Sequence, residues 1–128
     1  MLEIGIKGKD ELTVTDEKTA SRVGSGGLDV FATPALIALA EKTALESVSK
    51  YLEDGQSTVG TKIDISHIAA TPVGMKVYCE TELIEIDRRR LVFSVSVSDE
   101  VEKIAEGTHE RFIVDNEKFM SKAIGKKY

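Results

Sequence analysis

The sequence is poor in the residues that staple, bridge or chelate. It holds one cysteine, two histidines and no tryptophan. A lone thiol, Cys79, excludes an intrachain disulfide and a cysteine-rich metal site. Two histidines beside that cysteine are too few for a convincing zinc site, so no metal is expected. Aromatic residues make up only 5% of the chain, which leaves the core to aliphatic side chains. No stretch approaches the roughly 18 apolar residues of a membrane-crossing helix. Met1 to Lys9 shows no apolar signal segment, so the expected location is cytoplasmic, with no membrane partner. Positive charge is also short, 17 Lys and Arg against 22 Asp and Glu, for a net charge of −5. That sign disfavours nucleic acid, which demands a basic face. There is no phosphate loop with its lysine, no G-x-S-x-G elbow and no H-E-x-x-H pair.

What is present reads as one soluble domain over residues 1–128, long enough for a single core. Leu12 to Thr15 is expected to form a short strand. Gly24-Ser25-Gly26-Gly27 follows, a run that is either a plain loop or a ligand-facing lid. From Thr33 to about Leu52 the spacing predicts the clearest helix, with Thr33 as N-cap and Pro34 at the first helical position. Its apolar stripe runs through Ile37, Ala40, Ala44, Val48 and Leu52, broadened by Leu36, Leu45 and Tyr51. Four strands are then expected: Val59 to Ile68, Met75 to Ile86, Leu91 to Ser98 and Lys103 to Val114. Arg88-Arg89-Arg90 and Asp99-Glu100 make short links, which imply antiparallel neighbours. Asn116 to Ile124 reads as a C-terminal helix. The class is α+β, a long helix packed on a curved antiparallel sheet.

Three polar residues stand out against that pattern. Glu41 falls among Ile37, Ala44, Leu45 and Val48, so it is either a buried reactive carboxylate or one at the stripe's edge reaching solvent. His67 extends the alternation Val59, Thr61, Ile63, Ile65 by one step, which makes it a rim histidine or an acid–base group at the helix side. Thr33 is a cap by default, although a helix N-terminus also suits a developing oxyanion. Arg88 to Arg90, with Lys122, Lys126 and Lys127, are the basic residues available for an anion; the alternative is solvated surface.

The blocks Phe31-Ala32-Thr33-Pro34 with Glu41 eight residues after Thr33, Val59-Gly60-Thr61 leading to Ser66-His67 and Ala69-Ala70-Thr71-Pro72, and Gly107-Thr108-His109-Glu110-Arg111-Phe112 together resemble the fluoroacetyl-coenzyme A thioesterase-like family. The resemblance runs from about Val23 to Val114. It implies a hot-dog fold, a homodimer with the acyl pocket near the subunit interface, and hydrolysis of a short acyl-coenzyme A thioester. It further implies that Thr33, Glu41 and His67 are catalytic, that Arg111 supports the site, and that Gly26, Gly27, Phe31 and Ala69 with Arg111 bound the substrate. Coenzyme A enters as part of the substrate, with no separate cofactor. The stretch before the helix departs from the fluoroacetyl-specific member, which carries aromatic gating residues there. The implied substrate is therefore a generic short acyl group. A non-catalytic acyl-coenzyme A-binding protein and an enoyl hydratase on the same fold are the alternatives. The hydratase needs an Asp–His set, and Asp64 and His67 fall on opposite faces of a strand.

Overall fold

The computed structural model describes residues 1–127; Tyr128, the end of the expected domain, lies outside them. In chain order the elements are β1 (Lys7–Thr13), a 3-10 turn (Asp16–Lys18), α1 (Ala20–Val23), α2 (Thr33–Ser49), β2 (Gln56–His67), β3 (Lys76–Asp87), β4 (Arg90–Asp99), β5 (Lys103–Asp115), α3 (Asn116–Ile124) and a closing 3-10 turn (Gly125–Lys127). The strands form one sheet in the order β1-β3-β4-β5-β2. Every pairing is antiparallel. The α+β expectation holds, with α2 laid across the sheet.

Local corrections have physical reasons. β1 begins earlier than Leu12 because it is an edge strand paired with β3 from Lys7 onward, so polar residues take its solvent face. Gly8 lets it approach the helix: a Cβ there would lie 2.8 Å from Ser47 Cβ and 2.9 Å from the Thr43 carbonyl. Helix α2 is capped by Ala32, with no side-chain cap, and Thr33 is its first helical residue. The helix ends at Ser49, not near Leu52. Beyond it, Tyr51 and Leu52 N–H bond back three residues to Val48 and Ser49, and Gly55 turns the chain at φ 85°.

The buried face of α2 consists of Leu36, Leu39, Ala40, Thr43, Ala44 and Val48. Ile37, Glu41 and Leu45 form a half-buried row beside it. Each fully buried Leu or Val contributes roughly 1.5–3 kcal/mol. The core is aliphatic, as the composition requires, with Phe31 and Phe93 its buried aromatic rings.

The feature that sets the site lies in β2. Its register against β5 shifts between Gly60 and Lys62, a β-bulge that leaves Thr61 without a partner. An extra residue flips the alternation beyond it. Gly60, opposite Arg111, and His67, opposite Ala105, therefore share the helix-facing side although seven residues separate them. The unbroken alternation from Val59 to His67 expected from sequence is thus corrected.

Candidate active site

One half of the site forms where α2 begins and β2 ends. Thr33 Oγ1 lies 2.8 Å from His67 Nδ1. Because Ala32 occupies the cap position, the Thr33 hydroxyl is not spent on the helix and can serve the imidazole. A hydroxyl donates or accepts, so it follows whichever tautomer His67 adopts. His67 Nε2 is buried and has no hydrogen-bond partner among the described residues. Burial pushes the His67 pKa below the ordinary histidine value, partly offset by the Ala69 backbone, so the neutral, basic form persists at neutral pH. The Phe31 ring meets the imidazole edge-on at 6.5 Å. A cleft of about 300 Å³ opens here, bounded by Ala20, Ser25, Val30, Phe31, Ala69 and Ala70 around the Thr33–His67 pair.

The second half is built on β5 and the start of β2. Glu41 Oε2 lies 3.7 Å from Arg111 Nη1, with the Arg111 side chain buried and that of Glu41 42% exposed. Glu41 thus sits at the edge of the stripe and not inside it. Arg111 Nε donates to Thr58 Oγ1 at 2.8 Å, and Nη2 donates to the Thr58 carbonyl at 2.8 Å. Gly60 faces the carboxylate so closely that a Cβ would stand 2.5 Å from Glu41 Oε2.

The model of the family described as fluoroacetyl-CoA-specific thioesterase matches residues 14–117. The chain belongs to this family. It is 42% identical over 94 residues to a fluoroacetyl-CoA thioesterase of Streptantibioticus cattleyicolor, covering 73% of this chain and 68% of that protein. A solved structure of the fluoroacetyl-CoA thioesterase FlK superposes with a TM-score of 0.93 at 33% identity, over 98% of both chains. A hot-dog-like protein of Thermanaerovibrio acidaminovorans matches at a TM-score of 0.88 over 99% of this chain and 93% of that one; at 19% identity it speaks to the fold alone. The fold is the hot dog, and the chain is a thioester hydrolase.

Within this family member the two halves do not touch in one copy. Thr33 and Glu41 lie eight residues apart on one helix, about 12 Å of rise. The structure joins Thr33 to His67, and Glu41 to Arg111. Phe31 and Ala69 line the cleft; Gly26 and Gly27 do not, and Ser25 supplies that loop's contribution. Arg111 is buried, bound to Thr58 and turned toward Glu41.

The basic hairpin is also largely occupied. Arg90 pairs with Glu85 at 2.7 Å and Glu110 at 2.9 Å, and Arg89 with Asp115 at 3.5 Å. Asp64 is exposed, on the face away from His67, which removes the Asp–His set of a hydratase.

Two contributors escaped the sequence reading: Gly60 and His109. Inward alternation along β5, with Ala105, His109, Arg111 and Ile113 all buried, was the signal available for His109. Gly60 stood in the Val59-Gly60-Thr61 block, but its place beside Glu41 was not legible there, because the bulge is a property of the pairing.

Proposed function

We propose that the chain hydrolyses short acyl-coenzyme A thioesters to a carboxylate and free coenzyme A. The centre comprises Thr33 and His67 of one copy and Glu41 of a second copy in a homodimer. The observation that carries the reading is the Thr33–His67 hydrogen bond at the mouth of the cleft, with Nε2 left unpartnered. At about 300 Å³ the cleft stands at the low end of ligand pockets, roughly 300–1,000 Å³, which favours a short acyl group.

The first turn of α2 polarises the thioester carbonyl. Pro34 has no N–H and the Ala32 N–H is already bonded to the Lys18 carbonyl. Thr33 and Ala35 therefore supply the donors for the oxyanion. His67 moves the proton between water and the departing thiol, and Thr33 holds its ring. Glu41 acts as nucleophile or as base for water. Either role uses the carboxylate that Arg111 faces at 3.7 Å. The proposed steps draw on side chains, backbone N–H groups and water.

The second copy is invoked because one helix separates Glu41 from Thr33 by more than a hydrogen bond. Glu41 stands above β2, an edge strand whose outer backbone groups are open to pairing. A two-fold dimer through that edge brings the half-exposed Glu41 of one copy toward the cleft of the other.

Thiol release is to be measured on acyl-coenzyme A esters of graded chain length. Glu41→Ala and His67→Ala are expected to lose on the order of 10²–10⁴ in kcat. Dimers formed by mixing these two variants regain activity, since one of their two sites is intact. A mixture that stays inactive places Glu41 in the same copy as His67. A wild type that hydrolyses no ester in the series overturns the proposal.

A further inference from the structure

The buried side of Glu41 carries a histidine that the proposed chemistry does not use. His109 is fully buried on the inward face of β5, and its ring stacks on Phe93 with centroids 6.3 Å apart. Nδ1 lies 2.8 Å from the Lys62 carbonyl, which only accepts, so Nδ1 carries the hydrogen. Nε2 lies 3.2 Å from Arg111 Nη1, which only donates, so Nε2 presents its lone pair. Both contacts are met by one species, the neutral Nδ1–H tautomer. A protonated ring would point N–H at N–H. Burial disfavours protonation most, and Arg111 acts with it; the Lys62 carbonyl, Glu41 and Glu110 act the other way without overcoming them.

Arg111 then has three of its directions taken. Nε and Nη2 are bound to Thr58, and Nη1 is bound to His109 while it faces Glu41. A guanidinium is planar, so fixing these donors fixes the whole fork. The cation that Glu41 meets is held in place by a neutral imidazole behind it, and Gly60 leaves the carboxylate room in front.

We infer that His109 is a positioning residue for the reactive carboxylate: its Nε2 lone pair sets the Arg111 guanidinium, which in turn aligns Glu41. The inference rests on the proposed role of Glu41 and adds a residue that touches neither substrate nor reacting atoms. His109 acts through orientation, so its loss lowers kcat and leaves KM largely unchanged.

The test compares wild type with His109→Leu, His109→Gln and Glu41→Gln in kcat and KM. His109→Leu removes the acceptor and is expected to lower kcat about 10–100-fold with KM largely unchanged, in line with displacement of a catalytic group. His109→Gln keeps an acceptor oxygen toward Arg111 and is expected to recover most of the rate. His109→Leu with unchanged kcat, beside an inactive Glu41→Gln, overturns the inference and leaves the proposed function standing. A fully active Glu41→Gln overturns both. Should His109→Leu not fold, nitrogen-15 spectra of the wild-type imidazoles decide, since the chain has only two histidines. A His109 ring that carries its hydrogen on Nε2 refutes the inference.

Discussion

The two halves of the site differ in almost every physical respect. The Thr33–His67 half has a single internal hydrogen bond and opens on a cleft. The Glu41 half rests on a buried Arg111 whose donors are nearly all matched, backed by a buried His109. Unfilled bonding capacity is what a group needs if it is to take and return protons. Saturated capacity is what a support needs if it is to hold a charge in one place. On the proposed function, the contrast means that one side is left open to react with what enters and the other keeps a carboxylate oriented before anything enters.

Four further outcomes break or sharpen that contrast. The largest belongs to Gly60→Ala. The new Cβ would stand 2.5 Å from Glu41 Oε2, and the half-exposed carboxylate yields before the strand does. Displacement by about 1 Å is expected to reduce kcat about 100-fold with little change in melting temperature. An unaltered rate would mean that the tight fit around Glu41 is idle.

Thr33→Val is milder. It removes one hydrogen bond to His67 and should lower kcat about tenfold, while Thr33→Ser retains the rate. Because Ala32 is the cap, stability should stay within roughly 0.5 kcal/mol of wild type. A large loss of stability would restore Thr33 to the role of cap.

The third outcome concerns pH and stability. Burial holds both imidazoles below the unfolded histidine pKa of about 6.5. The unfolded chain therefore binds more protons as pH falls, and the native state loses stability. That contribution is full above about pH 6.5 and is lost as pH drops toward the folded values. The lowered carboxylates Asp10, Asp99 and Glu110 act in a more acidic window, below their ordinary values. Melting temperatures between pH 7.5 and 5 should fall, and His109→Gln should flatten that slope more than His67→Ala. Equal slopes in both variants would deny the buried half its greater rigidity.

Smallest is Arg88→Ala. This side chain is 93% exposed and, among the described residues, pairs only with its neighbour Asp87 at 3.5 Å. Neither KM nor stability should move by more than roughly 0.5 kcal/mol. A tenfold rise in KM would show that the hairpin grips the anionic part of the substrate.

Much of the fold was legible because periodicity is local. Apolar spacing marked α2, and alternation marked β3, β4 and β5 to within a residue or two of their ends. α3 was read at its full extent, Asn116–Ile124. The site was less legible. Glu41 stood out as an odd charge in an apolar stripe, yet only packing revealed that the stripe lies one position to its side. His109 was masked by its neighbours in a motif: alternation along β5 groups it with Ala105 and Ile113, but the packing is what settles which of the two faces is inward.

Residue order by itself determined the elements, the aliphatic core and, through motif resemblance, the three residues Thr33, Glu41 and His67. Tertiary structure alone decided how they are grouped. The bulge at Thr61 turns Gly60 and His67 to one side of β2, and pairing with β5 sets His109 and Arg111 behind Glu41. The physical reason is that a bulge and a register are settled between strands distant in sequence, through backbone hydrogen bonds that carry no side-chain signature.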